Sequence, residues 1–253
     1  MKYAVITGAS SGIGAEFAKK LSNRGYGLIL VARREDRLQS LAKQLKTTAE
    51  IFTADLSKQE ECERLGDYLG NFDVRVFINN AGFGDCGSFA ETDIQKELQM
   101  INVNIVALHL LSKLAVRILA KNGGYLLNVG SSAGLMPAGP YMATYYATKA
   151  YVVSLTQAIA IEQEEAGSKV HVSVLCPGPV DTEFNDVANV NFSLPGISAK
   201  FCAGYALRKM FQKQTIIIPG VMMKAANLAI RFLPRYIVAK IAGHQQKKKL
   251  GKA

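Results

Sequence analysis

A glycine-rich turn follows the first apolar segment of the chain and precedes a segment with helical periodicity. Residues 3–7 are typical of a strand, the turn GASSGIG comes next, and apolar Phe17 and Leu21 lie four apart after it. In such a turn one glycine permits a tight bend, one lets the backbone approach a pyrophosphate, and one lets helix and strand pack closely. The glycines at these places are Gly8, Gly12 and Gly14. The pattern predicts a dinucleotide-binding turn, with phosphates at the positive end of the helix.

Strand-like and helix-like segments alternate along the rest of the chain, which predicts parallel strands connected by helices. The later strand-like segments are 27–32, 50–54, 74–78, 125–129, 170–175 and 215–218. Between them lie helical segments at about 35–45, 93–120 and 201–213, and one that carries Tyr145 and Lys149 and ends at about 165. We therefore predict an α/β protein with one Rossmann domain over residues 1–253. Its doubly wound parallel sheet has seven strands, with helices on both faces.

The second predicted strand ends at two arginines, Arg33 and Arg34. An acid at this place would bind the ribose 2′-hydroxyl of NAD, whereas a guanidinium can grip a 2′-phosphate with two hydrogen bonds. We therefore expect NADPH or NADP+ as the cofactor, with NADH less favoured, and name Arg33 as a contact. The alternative is that both arginines are solvated and pair with Glu35 or Asp36.

Polar residues follow the third and fourth strands. Asp55 is placed either to accept a hydrogen bond from an adenine amino group or to cap the next helix, where Ser57 competes with it. The small residues of NNAG, at 79–82, allow a backbone to pass close to a ligand. Asn102 and Asn104 interrupt an apolar helical pattern, where an amide costs stability unless it is hydrogen-bonded. Asn104 is therefore a candidate site residue.

Tyr145 and Lys149 lie four apart in a helical segment, so they share one helix face. An ammonium near a phenol favours the phenolate and lowers its pKa from about 10, which suits general acid–base catalysis near neutral pH. Ser131 and Ser132 follow the fifth strand, at the edge where open α/β sheets bind ligands. The alternative for the Tyr-x-x-x-Lys pair alone is a solvated helix face.

Taken together, these motifs resemble the short-chain dehydrogenase/reductase superfamily across nearly the whole chain. TGASSGIG at 7–14, NNAG, an Asn in the long helix, Ser before YxxxK, and PGPVDTEF at 177–184 occur in the family's order. The nearest subgroup is NADP-dependent bacterial reductases similar to 3-oxoacyl and 17β-hydroxysteroid reductases. The resemblance implies that hydride moves between the nicotinamide and a carbonyl or secondary alcohol. The alternative is an NADPH-binding regulatory protein without turnover.

The resemblance also implies the role of each catalytic residue. Tyr145 is similar to the acid that protonates the carbonyl oxygen, and Lys149 to the group that lowers the tyrosine pKa and holds the nicotinamide ribose. Asn104, with Asn102 as the alternative, resembles the residue that holds a water in a proton relay. The serine hydroxyl would hydrogen-bond the substrate carbonyl. The usual spacing between this serine and the tyrosine favours Ser132, whereas the local pattern Ser-x-Ala-Gly favours Ser131. We choose Ser131, because a loop gains a residue more readily than the end of a strand shifts its position.

The predicted cofactor site follows from the same motifs. Thr182 and Val180 resemble contacts to the nicotinamide carboxamide, and residues 80–82 resemble the lining on the adenosine side. The full set is Gly8, Ser10, Ser11, Gly12, Ile13, Gly14, Arg33, Asp55, Leu56, Asn80, Ala81, Gly82, Tyr145, Lys149, Pro177, Val180 and Thr182. No metal is expected, because the four cysteines form no CxxC and are interpreted as buried thiols.

Most of the net charge of +10 belongs to the C-terminal tail, 221–253. Of the 30 Lys and Arg, eight lie from Lys224 onward with no acid, which leaves 22 against 20 Asp and Glu in the preceding residues. This distribution argues against a nucleic-acid-binding body. In 221–233, Lys224, Asn227 and Arg231 share one helical face, opposite the apolar residues. A helix over the substrate pocket is one interpretation, and weak peripheral contact with an anionic membrane, suited to a lipid-like substrate, is the alternative.

Segment 183–213 is expected to shape the substrate pocket, and 185–200 is either a mobile lid or a plain surface loop. The helix after Tyr145 is apolar on more than one face, which favours a homodimer or homotetramer. The chain shows no secretory signal and no uncharged apolar stretch of about 18 residues. We therefore expect a cytoplasmic enzyme with a small-molecule carbonyl or alcohol substrate.

Overall fold

A computed structural model of the protein describes residues 1–188 and 196–249. Seven parallel strands pair in the order β3-β2-β1-β4-β5-β6-β9, which confirms the predicted doubly wound sheet. The strand order reverses between β1 and β4, and open α/β sheets form their ligand crevice at such a point. The strands are β1 (Lys2–Thr7), β2 (Gly27–Ala32), β3 (Ala49–Thr53), β4 (Asp73–Asn79), β5 (Gly124–Val129), β6 (Val170–Leu175) and β9 (Ile216–Ile217). Two short strands, β7 (Val180–Asp181) and β8 (Ile197–Ser198), pair separately.

Helices cover both faces of the sheet, as predicted. They are α1 (Gly12–Ser22), α2 (Glu35–Ala42), α3 (Gln59–Leu69), α4 (Ile94–Ile101), α5 (Leu108–Ala120), α6 (Ala143–Glu165), α7 (Phe184–Val187), α8 (Ala199–Phe211), α9 (Val221–Ala229) and α10 (Arg235–Lys249). Side chains alternate along each strand. Ile6 of β1 therefore joins the core under α1, α2 and α8, while its neighbour Val5 joins the core under α3 and α5.

The predicted long helix at 93–120 is interrupted by a π-helical turn, Asn102–Ala107, between α4 and α5. Within the described residues, Ile94–Ala120 is the one helical run that is long and apolar enough to span a bilayer. Leu111, Ala115 and Leu119 of this run are buried against the sheet. The core helix of a sheet protein has this composition too, so we assign the run to the core.

Two predicted segments extend beyond the described residues. Segment 183–213 contains α7, β8 and α8, but 189–195 lie outside the described part, so a lid at 185–200 remains a prediction. The tail 221–253 is helical as far as Lys249, with a 3₁₀ turn, Ile230–Phe232, between α9 and α10. Residues 250–253 also lie outside the described part.

A chain of buried amides connects the two central strands with the helices behind them. Asn79 Nδ2 donates to Asn128 Oδ1 at 3.0 Å and to Ser112 Oγ at 3.2 Å. Asn128 Nδ2 donates to Thr156 Oγ1 at 3.0 Å. Asn79 and Asn128 are register partners, and neither is more than 2% exposed. Buried amides are costly unless they are hydrogen-bonded, so this network holds β4, β5, α5 and α6 in one arrangement.

We expect Asn128→Ala to lower the free energy of unfolding by about 2–3 kcal/mol, because it leaves buried polar partners without their hydrogen bonds. Urea unfolding followed by circular dichroism measures this. Asn122→Ala, at an exposed asparagine, is the control and should change stability by less than about 0.5 kcal/mol. Equal losses in the two variants would show that the amide chain does not fix the sheet.

Candidate active site

A cleft of about 1910 Å³ opens at the carboxyl ends of the strands. It brings together nearly all the predicted site residues, which come from segments far apart in sequence. Predicted residues in its wall are Gly8, Ser10, Ser11, Gly12, Ile13, Arg33, Asp55, Leu56, Asn80, Ala81, Gly82, Ser131, Tyr145, Lys149, Pro177, Val180 and Thr182. Gly14 and Asn104 contact wall residues from behind.

The glycine turn has the backbone shape that the sequence predicts. Gly8 and Gly12 have φ values of 63° and 55°, which glycine adopts without strain. A side chain at Gly14 would collide with the carbonyl oxygen of Gly8. Helix α1 begins at Gly12 with no acid in its first turn, so its positive end faces the cleft without a competing carboxylate. These features fit the pyrophosphate of a dinucleotide.

Thr7 and Asn80 join β1 to β4 where the strand order reverses. Asn80 Nδ2 donates to the carbonyl oxygens of Thr7 and Gly8, at 3.0 and 3.1 Å. The Thr7 hydroxyl accepts hydrogen bonds from the backbone N–H groups of Asn80 and Ala81, at 2.9 and 3.0 Å. Asn80 thus supports the turn with its side chain while its segment lines the cleft. Thr7, the first residue of TGASSGIG, was not among the predicted site residues.

Arg34, rather than Arg33, contacts the glycine turn. Its Nη2 donates to Ser11 Oγ at 3.0 Å and to Ser10 Oγ at 3.2 Å, and its Nη1 donates to Glu183 at 3.0 Å. Arg37 forms a second ion pair with Glu183. The alternative pairing of Arg34 with Glu35 or Asp36 is therefore wrong. Arg33 is exposed and lines the same end of the cleft.

Asp55 lies in the cleft wall but already has hydrogen-bond partners. Its Oδ1 accepts hydrogen bonds from the Ser57 hydroxyl at 2.9 Å and from the Ser57 backbone N–H at 3.1 Å. This local turn precedes α3, but α3 has Lys58 as its N-cap residue and no side-chain hydrogen bond there. The expectation that Asp55 or Ser57 caps the helix is therefore wrong. The contact with an adenine remains a prediction.

The Ser131 hydroxyl is hydrogen-bonded to the Tyr145 phenol, which is 8% exposed. Ser131 Oγ also accepts a hydrogen bond from the Ala133 N–H at 3.1 Å, which fixes the position of the serine. Ser132 instead donates its backbone N–H to the carbonyl oxygen of Pro177 at 2.8 Å. Of the two serines, Ser131 is the one whose hydroxyl reaches the tyrosine.

Lys149 is 5% exposed, and its Nζ donates to the carbonyl oxygen of Val129 at 2.9 Å. The same Nζ lies 5.9 Å from the centre of the Tyr145 ring. Burial disfavours the ammonium and lowers the pKa of Lys149 to about 8. The expected lowering of the tyrosine pKa is not found: burial raises the pKa of Tyr145 to about 12, against the opposing effect of the Ser131 hydrogen bond. Desolvation therefore outweighs the hydrogen bond from Ser131.

Asn104 is fully buried in the π-helical turn. Its Nδ2 donates to the Phe83 carbonyl at 2.9 Å and to the Thr148 hydroxyl at 3.1 Å, and its Oδ1 accepts from the Phe83 N–H at 3.1 Å. A Cβ at Gly82 would lie 2.8 Å from this Oδ1 and 3.4 Å from Lys149 Nζ. Asn104 thus connects the NNAG segment to α6. Asn102 is exposed and lines the cleft, and a water-holding role for either residue remains a prediction.

The C-terminal helices lie over the cleft, as the first interpretation of the tail predicted, and supply individual cleft residues that the sequence did not identify. From α10, Gln246 Nε2 donates to the Tyr146 hydroxyl at 2.7 Å, beside the catalytic tyrosine candidate. Met223, Asn227 and Ile230, on one side of α9 and the following turn, line the cleft and are half-buried. Lys224, Asn227 and Arg231 keep the spacing of one helical face, but only Lys224 and Arg231 are exposed, whereas Asn227 is half-buried and lines the cleft.

Comparisons with known proteins agree with this geometry. A family model described as short chain dehydrogenase matches residues 2–191. A very-long-chain 3-oxoacyl-CoA reductase from Neurospora crassa is 35% identical over 182 residues, which are 68% of this chain and 54% of that protein. A short-chain dehydrogenase from Sphingobium yanoikuyae, solved with NADPH, is 28% identical with a TM-score of 0.81, covering 92% of this chain and 97% of that one. An SDR from Burkholderia phymatum, solved with NAD, is 26% identical with a TM-score of 0.79, covering 92% and 96%.

We expect Lys149→Met to raise the free energy of unfolding at pH 7 by up to about 3 kcal/mol, because the wild type buries a group whose pKa falls from 10.5 to about 8. Between these two values the unfolded chain binds more protons, so wild-type stability rises with pH. The gain in the variant should therefore shrink above about pH 8.

Urea unfolding at a series of pH values from about 7 to 10 measures this difference. Lys113→Met, at an exposed lysine on α5, is the control and should show no such trend. A Lys149→Met variant whose stability relative to wild type is independent of pH would contradict the lowered pKa.

Proposed function

Because the chain belongs to the short-chain dehydrogenase family, we propose that it is an NADPH-dependent carbonyl reductase with a large apolar substrate. The observation that carries the proposal is the hydrogen bond between Ser131 and buried Tyr145, within one helical turn of Lys149. A protonated phenol, a second hydroxyl and a buried amine in one cleft are suited to adding a proton to a carbonyl oxygen.

Tyr145 acts as the general acid in this proposal. When bound, the nicotinamide cofactor supplies the hydride. Since the pKa of Tyr145 is raised to about 12, its phenol holds a proton at neutral pH and can donate it to a carbonyl oxygen. Ser131 donates a second hydrogen bond to that oxygen as negative charge develops. The carbonyl thus gains a hydride and a proton and becomes a secondary alcohol.

Lys149 and Asn104 support the acid. With its pKa lowered to about 8, Lys149 can exchange a proton near neutral pH, so we assign it the return of a proton to Tyr145. It also has ammonium hydrogens beyond the one bonded to Val129, with which it can hold a ribose hydroxyl. Asn104 fixes α6 through Thr148 and thereby positions Tyr145.

Two arginines favour NADPH over NADH. Arg33 and Arg34 both line the cleft where β2 ends, and Arg34 is held against Ser10 and Ser11. A ribose 2′-phosphate would meet two guanidinium groups there, which favours the phosphate over a hydroxyl. Solved relatives contain NADPH in one case and NAD in another, so the preference rests on these arginines.

The substrate class is proposed from the cleft wall and from the relatives. Methionine and aromatic side chains form one cluster with Tyr145: Met136, Met142, Tyr146 and Phe184. Met222 and Met223 line the same cleft. Flexible methionines adapt to long or bulky apolar groups. A relative named as a very-long-chain 3-oxoacyl-CoA reductase is consistent with a lipid-like carbonyl compound.

Assembly and location are also part of the proposal. Several large apolar side chains on α4 and α6 are exposed in the single chain, among them Ile94, Leu98, Tyr151 and Ile161. Such residues are typical of subunit interfaces, so we propose a homodimer or homotetramer. We place the enzyme in the cytoplasm, where its thiols at the four buried cysteines would stay reduced.

We expect Tyr145→Phe to reduce kcat with NADPH and a 3-oxoacyl thioester or ketosteroid by about a hundredfold or more, because the variant lacks the phenol that donates the proton to the carbonyl oxygen. Loss of NADPH absorbance measures turnover, and NADPH fluorescence measures cofactor binding, which should survive. A loss in kcat of less than about tenfold would exclude Tyr145 as the acid. NADPH binding without turnover across a broad carbonyl panel would favour a regulatory protein.

The adjacent serines provide a matched pair for the same assay. Ser131→Ala should lower kcat by roughly a hundredfold, since its hydroxyl bonds to Tyr145, whereas Ser132→Ala should change kcat by less than about threefold. The reverse result would move the catalytic role to Ser132.

We expect Arg33→Ala to raise KM for NADPH by about tenfold or more while leaving KM for NADH nearly unchanged, because only the 2′-phosphate is gripped by the guanidinium. Steady-state kinetics with the two cofactors measure this. Arg117→Ala, at an exposed arginine of α5 outside the cleft wall, is the control. Equal effects on NADPH and NADH would contradict the proposed cofactor preference.

A further inference from the structure

Helix α9 and the turn that follows it carry an apolar stripe on the side away from the cleft. Val221, Leu228 and Phe232 are 84%, 57% and 82% exposed. Their spacing of seven and four residues places them on one helix side, together with Ala225. The opposite side, with Met223 and Ile230, lines the cleft and is half-buried. The helix is therefore apolar on the side that faces water as well as on the side that faces the protein.

Helix α10 continues this exposed apolar surface. Its buried side holds Val238, Ala242 and Gln246 against the protein, at 2%, 1% and 3% exposure. Tyr236 and Ile237, on the other side, are 69% and 46% exposed. Large solvent-facing apolar groups on two consecutive helices mark an interaction surface rather than scattered surface residues.

Basic side chains border the apolar stripe. Lys224 of α9 and Arg231 of the following turn lie along one edge of it, and Arg235 and Lys240 are exposed on α10. From Lys224 to the end of the chain there are eight Lys and Arg and no Asp or Glu. Apolar groups flanked by cations, with no carboxylate to repel phosphate, complement the interface of an anionic bilayer.

We propose that α9 and α10 dock the protein peripherally on an anionic lipid bilayer, with Val221, Leu228 and Phe232 inserted among the acyl chains and the flanking lysines and arginines on lipid phosphates. Contact with the cleft supports this occupant over another protein. Met222 and Ile241 line the cleft and are also 72% and 47% exposed, so the apolar surface reaches the cleft mouth. The inference that the bilayer holds the substrate rests on the proposed function, whereas docking itself does not.

The test uses the full chain and two kinds of large unilamellar vesicle, phosphatidylcholine alone and phosphatidylcholine mixed with phosphatidylglycerol. Sedimentation measures the bound fraction against lipid concentration. Wild type should bind the anionic vesicles at least about tenfold more tightly than the neutral ones, and added salt should weaken that binding. Equal binding to the two vesicle types, or none to either, overturns the proposal.

Two variants separate the apolar and charged contributions. Val221→Ser with Leu228→Ser and Phe232→Ser should weaken anionic-vesicle binding by about tenfold or more, while Phe89→Ser, a 71% exposed phenylalanine elsewhere, should bind as wild type. Arg231→Gln with Arg235→Gln should weaken binding by roughly fivefold per charge. The matched pair Lys113→Gln with Lys121→Gln should have no effect. Stripe variants that bind as tightly as wild type overturn the proposal.

Two further measurements identify what fails if the result is negative. Light scattering should give the same mass for wild type and the triple stripe variant, and a smaller mass for the variant would assign the stripe to a subunit interface instead. Tyr145→Phe should bind vesicles as wild type does, and the stripe variant should reduce a water-soluble ketone as wild type does. If neither wild type nor any variant reduced a carbonyl compound, the proposed function would fail, but binding to anionic vesicles would still support docking.

Discussion

Desolvation of the Lys149 side chain is the constraint on which the rest of the site depends. The ammonium is almost completely buried and needs an acceptor, which the carbonyl oxygen of Val129 provides at the end of β5. It also needs space, and Gly82 leaves that space because a side chain there would press against Lys149 and Asn104. The sheet edge, the NNAG segment and α6 must therefore meet in one arrangement before an amine with a lowered pKa can exist.

The same burial explains why the pKa values of the Tyr145 phenol and the Lys149 amine differ from those expected from the spacing of the two residues. Two groups four residues apart on an exposed helix would interact through their charges. Here both are removed from water, so each favours its neutral form: the pKa of Tyr145 rises and that of Lys149 falls. A neutral tyrosine is a proton donor rather than an acceptor. In the protein alone, the phenol thus holds the proton that the proposed carbonyl reduction would use.

Local patterns were sufficient to predict the sheet and most of the cleft. Strand ends bring their next residues to one edge, so finding Gly8, Asn80 and Ser131 after three apolar strands already places them together. The ion pair of Arg34 with Glu183 could not be found in this way, because it joins residues 149 apart in sequence. The pKa directions and the π-helical turn at Asn104 also depend on tertiary packing, about which periodicity says nothing.

Helix α9 is a second case in which the sequence pattern does not predict which side of an element faces the protein. Its sequence pattern suggested a polar face with Asn227, but the cleft takes Asn227 together with Met223 and leaves Val221 and Leu228 outside. A helix that is apolar nearly all round is ordinarily buried on every side. The cleft covers one side of α9, and the opposite side, bordered by cations, is left facing water. The lipid bilayer that we propose to meet this helix would cover the exposed apolar side.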